Sequence, residues 1–146
     1  MDALIVALKK VLATGFVLYL KTHAAHWNVE GPFFGSLHAL FERQYEDLHD
    51  AVDDYAEKLR QLDVYVDASL DEFDSFSQVA SFPGPTPALE MVAELRRDHE
   101  TMLNVLEAAL DAAEAADQEG IIAFLGTRVE AHQKWRWFLR VTAKSV

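Results

Sequence analysis

Residues 36–63 read SLHALFERQYEDLHDAVDDYAEKLRQLD, and the pattern of this stretch decides the fold of the chain. Apolar side chains recur in it at steps of three, four or seven residues, which is the spacing of one buried face of an α-helix. These side chains are Leu37, Phe41, Leu48, Val52, Leu59 and Leu62. The stretch therefore predicts a long amphipathic helix, helix two, over residues 36–63.

Three further segments of the chain carry the same helical spacing. We predict helix one over about residues 3–28, helix three over about 87–115 and helix four over about 119–143. The Gly31-Pro32 pair after helix one is a typical helix exit. No segment shows the alternating pattern of a β-strand.

A short extra helix is predicted in the connection between helices two and three. Ser69 is followed three residues later by Glu72, which is the capping-box pattern of a helix N-terminus. We therefore expect a short helix from Leu70 to about Val79.

The proline-rich run at residues 83–87 ends this connection. Thr86 and Pro87 are suited to the N-cap and first helical positions, so they are predicted to begin helix three. Four long helices with one long crossover in the middle are typical of a ferritin-like bundle. The predicted fold class is therefore all-α, a four-helix bundle whose crossover between helices two and three carries a short extra helix. Residues 1–146 are expected to form one domain.

The composition excludes several kinds of site. Cysteine is absent, which excludes disulfides, thiolate zinc sites and cysteine nucleophiles, and leaves His, Asp and Glu to bind any metal. Hydrophobic residues make up 51% of the chain, which excludes a disordered protein. Lys9 and Lys10 interrupt the apolar start, so we expect no signal peptide and no membrane partner, and a soluble, cytoplasmic protein.

The net charge of −11 is unevenly distributed along the chain. Residues 37–119 contain 21 acidic and five basic residues, whereas residues 128–144 contain five basic residues and one acid, Glu130. An acidic surface repels nucleic acid and concentrates cations such as ferrous ions. The acids are equally consistent with an ordinary solvated helix surface, and the basic end with cations that complement a helix C-terminus.

Helix two carries a second, polar stripe beside its apolar one. His38, Glu42, His49, Asp53 and Glu57 fall on one side of the helix at 100° per residue. A solvated face would account for this stripe if helix two stood alone.

The spacing within the polar stripe predicts a site shared between two chains. The pair His38/Glu42 lies fifteen residues before the pair Asp53/Glu57, or about 22 Å along a helix, so one chain cannot close both pairs on one metal. Antiparallel pairing with a two-fold copy would bring the two pairs together and give two equivalent sites. His26, at the end of helix one, can complete the nitrogen ligands. Imidazole and carboxylate donors suit ferrous iron, although zinc and manganese accept similar ligands.

The chain resembles the Dps family of mini-ferritins over nearly its whole length. The resemblance begins with residues 21–32, KTHAAHWNVEGP. It continues in and just before helix two, at Phe34, Leu37, His38, Phe41, Glu42, Tyr45, Asp53, Ala56, Glu57 and Lys58. It returns in the aromatic segment near the end of helix four, at His132, Trp135, Trp137, Phe138 and Leu139.

This resemblance implies a dodecameric cage that oxidises Fe(II), with hydrogen peroxide or dioxygen as oxidant, and stores the ferric mineral. It implies a dinuclear or partly occupied iron site at each two-fold interface, with His26, His38 and Glu42 from one chain and Asp53 and Glu57 from its partner. Glu42 stands where other members often have Asp, so the longer side chain is expected to shift the second metal.

Two residues beside His26 are expected to support the site without binding metal. His23 lies one helical turn before His26 and is predicted to be a hydrogen-bond partner within the site or a surface residue. Trp27 is expected to pack against the site or an interface. Trp135 and Trp137 cannot share one helix face, so at least one is expected to face another subunit.

Three rival readings remain open. A classical di-iron bundle would need two Glu-x-x-His motifs within one chain, and only Glu46-Asp47-Leu48-His49 fits. A DNA-binding Dps would need a Lys-rich terminal tail, which we do not find, so we expect no nucleic acid partner. A structural cage without activity keeps the same residues.

Overall fold

The computed structural model describes residues 1–144 and contains five α-helices. Their bounds are Asp2–Asn28 for α1, Phe34–Gln61 for α2, Leu70–Phe76 for α3, Ala88–Ala115 for α4 and Glu119–Thr142 for α5. α1 packs along both α2 and α4, α4 packs along α5, and the short α3 lies against α1. The predicted four-helix bundle with a helix in its crossover is confirmed, and residues 1–144 contain no β-strand.

The turn between α1 and α2 places the end of one helix beside the start of the next. Val29 leaves the helix with an extended backbone, and Gly31 has a φ of 101°, a conformation that favours glycine. α2 begins at Phe34, two residues earlier than predicted, because the carbonyl of Phe33 already accepts the N–H of Leu37 at 2.9 Å. The turn is therefore only five residues long, from 29 to 33.

Half of the predicted capping box of α3 is present, because the N–H of Ser69 donates to Asp67 Oδ1 at 3.0 Å and not to the side chain of Glu72. The Oγ of Ser69 accepts the N–H of Glu72 at 3.1 Å. The helix ends at Phe76 and not near Val79, because Ser77 is extended and the next N–H, that of Gln78, bonds to the Oγ1 of Thr14 on α1. This hydrogen bond fastens the crossover to the bundle.

The predicted N-cap of α4 is wrong by one residue. The helix begins at Ala88 with Pro87 as its N-cap, and the carbonyl of Pro87 accepts the N–H of Met91 at 2.9 Å. Thr86 does not cap the helix, because its hydroxyl donates to the carbonyl of Gly84 at 2.9 Å and is used within the turn.

α1 is long and apolar enough to cross a membrane by length and composition alone. Its position in the bundle gives that apolarity another explanation, because it packs against both α2 and α4 and therefore buries two faces. Leu4, Leu8, Val11 and Leu18 are all fully buried.

A polar network joins α2 to α5 inside the bundle. Asp47 accepts two hydrogen bonds from the Arg128 guanidinium, at 2.9 and 3.0 Å, and one from the indole of Trp135 at 2.8 Å. Burial alone would raise the pKa of Asp47, but the hydrogen bonds and the charge of Arg128, together with the hydrogen bond from Trp135, outweigh it and lower that pKa. Trp135 is thus turned inward, whereas Trp137, two residues later, is half exposed.

His99 and His132 meet in the interior, where α4 and α5 pack together. Both are fully buried, and their Nδ1 atoms are 2.8 Å apart, so one ring donates a hydrogen bond to the other. Neither Nε2 atom has a hydrogen-bond partner within residues 1–144. Burial lowers the pKa of His99 to about 3 and that of His132 well below its usual value, so both rings stay neutral in the folded chain.

We expect the folded protein to lose stability as the pH falls below about 6.5, the ordinary histidine pKa. Below that pH the unfolded chain binds protons at His99 and His132 that the folded chain does not bind. Each histidine then lowers the free energy of unfolding by up to about 1.4 kcal/mol per pH unit. Urea unfolding at fixed protein concentration, between about pH 7 and pH 5, measures this slope before most carboxylates titrate.

The double variant His99→Gln/His132→Gln is the control, and its slope over the same pH range should be shallower. An unchanged slope would mean that other groups carry the pH dependence.

Candidate metal centre

His26 and His38 face each other across the turn between α1 and α2. The Nδ1 atom of His26 lies 2.7 Å from the carbonyl of His38, and the Nδ1 atom of His38 lies 2.7 Å from the carbonyl of His26. The two rings are stacked, with centroids 3.7 Å apart and planes 14° apart. Each histidine therefore holds the other's backbone.

These reciprocal hydrogen bonds assign the tautomer of both rings. A backbone carbonyl can only accept, so each Nδ1 must carry a proton and donate it. In this tautomer the lone pair of the ring lies on Nε2, which is the atom left to bind a metal ion. A hydrogen bond that fixes one ring nitrogen and leaves the other free is the usual arrangement of a histidine ligand.

Glu42 extends this half of the site along α2. It is exposed one helical turn after His38, on the same side of the helix. Its carboxylate acts on Tyr45, whose pKa is raised first by burial and then by the charges of Glu42 and Glu46. The two imidazoles and this carboxylate form the first half of the candidate centre.

Three exposed carboxylates form the second half, farther along α2. Asp53, Asp54 and Glu57 each offer an oxygen, and these atoms lie within 4.8 Å of one another. The sequence pattern predicted Asp53 and Glu57 as ligands but not Asp54. The two consecutive aspartates at 53–54 were the signal that could have identified it. Within residues 1–144 this is the only group of three or more His, Asp or Glu residues close enough to hold a metal ion.

The structure does not bring the two halves together within one chain. α2 runs without a break from Phe34 to Gln61, so fifteen residues of helix separate His38 from Asp53, or about 22 Å. Each half alone is an incomplete ligand set.

His23 and Trp27 lie against the histidine half. His23 is stacked on Tyr45 with ring centroids 3.8 Å apart, and its other neighbour is Trp27 at 4.1 Å. Its Nδ1 atom is hydrogen-bonded to the hydroxyl of Tyr19 at 3.0 Å, not to a candidate ligand. His23 thus fills space beside His26, whose ring centroid is 5.9 Å away.

Large aromatic side chains are exposed around the same half. Trp27 is 60% exposed, Phe33 is 52% exposed, and Phe34, which stacks on His38, is 45% exposed. Exposed aromatic groups that surround polar groups are typical of a protein interface.

Within residues 1–144, the bundle interior does not hold the site of a classical di-iron protein. Such a site needs carboxylates on facing helices. The polar groups buried between the helices of residues 1–144 include the neutral pair His99 and His132 and two ion pairs, Asp47 with Arg128 and Asp98 with Lys21.

A family model described as a ferritin-like domain matches residues 5–144 of the chain. An uncharacterized low temperature-induced protein of Nostoc sp. is 36% identical over 91% of this chain and 75% of its own length. The DNA protection during starvation protein of Brevibacillus brevis is 31% identical over 92% of this chain and 90% of its own length.

The chain is also similar to solved structures. The Dps structure from Thermosynechococcus elongatus matches with a TM-score of 0.96 and 28% identity, over 99% of this chain and 92% of that one. A Dps protein of Vibrio cholerae O1, described as a member of a broad superfamily of ferritin-like diiron-carboxylate proteins, matches with a TM-score of 0.92 and 26% identity, over 98% of this chain and 90% of that one.

We predict that His38→Ala weakens Co²⁺ binding at the centre by at least about tenfold. The change removes one ligand and also the Nδ1–H that orients the turn against His26. Calorimetric titration with Co²⁺ measures the loss. His23→Ala is the matched control, because it removes a neighbouring histidine whose Nδ1 atom is hydrogen-bonded to Tyr19, and a loss as large as that of His38→Ala would assign the ligand role to His23 instead.

Proposed function

The chain belongs to the Dps family of ferritin-like proteins, and on that premise we propose that it is one subunit of a hollow cage that oxidises ferrous iron and stores the ferric product. The observation that carries the proposal is the pair His26 and His38, whose Nδ1 atoms both bond to backbone carbonyls and whose Nε2 atoms make no hydrogen bond within residues 1–144. The carboxylate cluster farther along α2, formed by Asp53, Asp54 and Glu57, supplies the complementary ligands.

A two-fold axis would complete the centre. The pairs His38/Glu57 and Glu42/Asp53 have the same midpoint along α2, between Asp47 and Leu48. One axis through that midpoint, with α2 antiparallel to its copy, therefore places the histidine half of each chain against the carboxylate half of the other. The iron ligands in this proposal are His26, His38 and Glu42 of one chain and the partner's Asp53 and Glu57, with the partner's Asp54 beside them.

Assembly would also cover the exposed aromatic groups. Trp27, Phe33 and Phe34 surround the histidine half, and Trp137 is 51% exposed on α5. Burial of such surface is the main favourable term in association. We propose a homo-oligomer built from these dimers, with the dodecamer that the family resemblance implies as its form.

The donors suit two ferrous ions as substrates. Neutral imidazole and carboxylate ligands with open positions are the usual environment of Fe(II) that reacts with an oxidant. With hydrogen peroxide, two Fe²⁺ give up one electron each, the O–O bond breaks, and hydrolysis to two FeOOH consumes two waters and releases four protons.

Such a reaction would remove peroxide and free ferrous iron together, and so protect a cell from oxidative stress. A bacterial cytoplasm is the location we propose for it. A cage without catalytic activity is the alternative, and iron oxidation by the wild-type protein separates the two.

We predict that two inactive variants restore activity when mixed. Glu57→Ala and His38→Ala should each oxidise Fe(II) far more slowly than the wild type, because each removes a ligand from every centre. In a dimer of one Glu57→Ala chain and one His38→Ala chain, one of the two centres regains all its ligands. Random co-assembly of the two variants should therefore recover about a quarter of the wild-type rate, measured by absorbance of the ferric product.

The control for this experiment is Glu107→Gln, which removes an exposed carboxylate from α4 and should leave the rate unchanged. Mixtures no faster than the separate variants, in particles of wild-type size, would contradict a shared centre.

DNA binding is the second candidate function, favoured by the basic residues near the end of α5. Lys134, Arg140 and Lys144 are exposed there. The net charge of −11 opposes it, since a DNA duplex is a dense line of negative charge. We expect no retardation of plasmid DNA on a gel at physiological salt; a retarded band that weakens as salt rises would establish binding through phosphates.

A further inference from the structure

Glu46 and His49 lie on the same side of α2 as the proposed iron ligands, but no step above uses them. At 100° per residue, the ligands from His38 to Glu57 span an arc of about 100° around the helix, and both Glu46 and His49 fall inside it. Both side chains are exposed, and that of His49 is 65% exposed. A partner that meets the ligands must also meet these two residues.

The two-fold axis proposed above determines which partner residues lie opposite Glu46 and His49. Glu46 and His49 have the same midpoint as the ligand pairs, between Asp47 and Leu48. Each Glu46 therefore lies opposite the partner's His49, and the four side chains surround the axis. This inference rests on the proposed shared centre, because a different register would separate them.

We propose that these four side chains bind one divalent transition-metal ion on the two-fold axis. The ligands are Glu46 and His49 of one chain and the partner's Glu46 and His49. Glu46-Asp47-Leu48-His49 is a Glu-x-x-His motif, and facing helices that each carry this motif hold metals in four-helix carboxylate proteins. The chain carries this motif once, and the two-fold related partner supplies the second motif.

The charges on this face favour a cation near the axis. Between His38 and Glu57 the arc carries four carboxylates, Glu42, Glu46, Asp53 and Glu57, and no Lys or Arg. Two copies bring eight carboxylates together, and opposed like charges destabilise an interface. The iron centres neutralise the outer carboxylates but not Glu46, which lies nearest the axis.

The axial site is separate from the iron centres. The midpoint between His38 and Glu42 along α2 lies seven to eight residues from the two-fold axis, or about 11 Å. A metal–ligand bond is about 2 Å long, so an ion on the axis shares no ligand with either centre.

The surroundings of His49 leave its ring available. Its Nδ1 atom is 3.8 Å from Asp50 Oδ1, which is too long for a hydrogen bond. The ring packs against Tyr19, with centroids 4.9 Å apart, which restricts its motion without using a nitrogen. Two imidazoles and two carboxylates give a four-coordinate set that suits Zn²⁺, Co²⁺ or Fe²⁺.

Titration with Co²⁺ under anaerobic conditions tests the site. His49→Ala and Glu46→Gln should each bind about one Co²⁺ fewer per two chains than the wild type, whereas Glu57→Ala should keep this ion and lose binding at the iron centres. Glu107→Gln is the matched control and should bind as the wild type does. Equal stoichiometry in His49→Ala and the wild type would overturn the proposal.

Crystals grown with Co²⁺ give a second measurement that does not depend on the variants. An anomalous peak on the two-fold axis, about 2.0–2.2 Å from a nitrogen of His49 and an oxygen of Glu46, is expected. Cobalt at the iron centres with no peak on the axis would overturn the proposal and indicate a metal-free pair in which His49 donates a hydrogen bond to the partner's Glu46.

The same preparations separate this inference from the proposed function. Iron oxidation that persists at the wild-type rate in Glu57→Ala overturns the shared iron centre. Oxidation that is lost in Glu57→Ala, with unchanged Co²⁺ stoichiometry in His49→Ala, overturns only the axial site.

Discussion

The rise of an α-helix, about 1.5 Å per residue, is the constraint on which the rest of this molecule depends. α2 is one unbroken helix from Phe34 to Gln61, and its inner side must bury Leu37, Phe41, Leu48 and Tyr55 to hold the bundle together. The polar residues on its outer side are therefore held at fixed separations. Because His38 and Asp53 cannot approach each other within one chain, a centre that uses both requires a second copy.

The long helices and the crossover were predictable because they follow from periodicity. The errors lie at helix ends, because single hydrogen bonds determine where a helix begins or ends. The Thr86 hydroxyl bonds within a turn, and the N–H of Gln78 bonds to Thr14, sixty-four residues away. Spacing along α2 also predicted that the ligand pairs lie apart. The tautomers of His26 and His38 could not be predicted, because they depend on backbone carbonyls that no residue pattern reveals.

The buried polar groups were the least predictable part of the structure. Lys21 belongs to a polar stretch of the sequence, yet its side chain is only 4% exposed and its Nζ atom lies 2.9 and 2.8 Å from carboxylate oxygens of Glu94 and Asp98. An alternation of polar and apolar residues gives no sign that a lysine will be buried with two acids from another helix. Such pairs require three-dimensional information, since the partners lie more than seventy residues away.

The polar groups of the interior and the position of the proposed metal ligands follow from the same electrostatic constraint. A metal centre inside the bundle would need charged carboxylates there, and each buried carboxylate costs several kcal/mol unless an ion or a cation compensates it. Here Asp47 is compensated by Arg128 and Asp98 by Lys21, and His99 and His132 are neutral, so none of these interior groups needs a metal to compensate it. The uncompensated carboxylates lie instead on the exposed face of α2, where water solvates them in the single chain. Pairing two such faces removes that water, so dimer formation and cation binding must stabilise each other, and the affinity for metal ions becomes dependent on assembly.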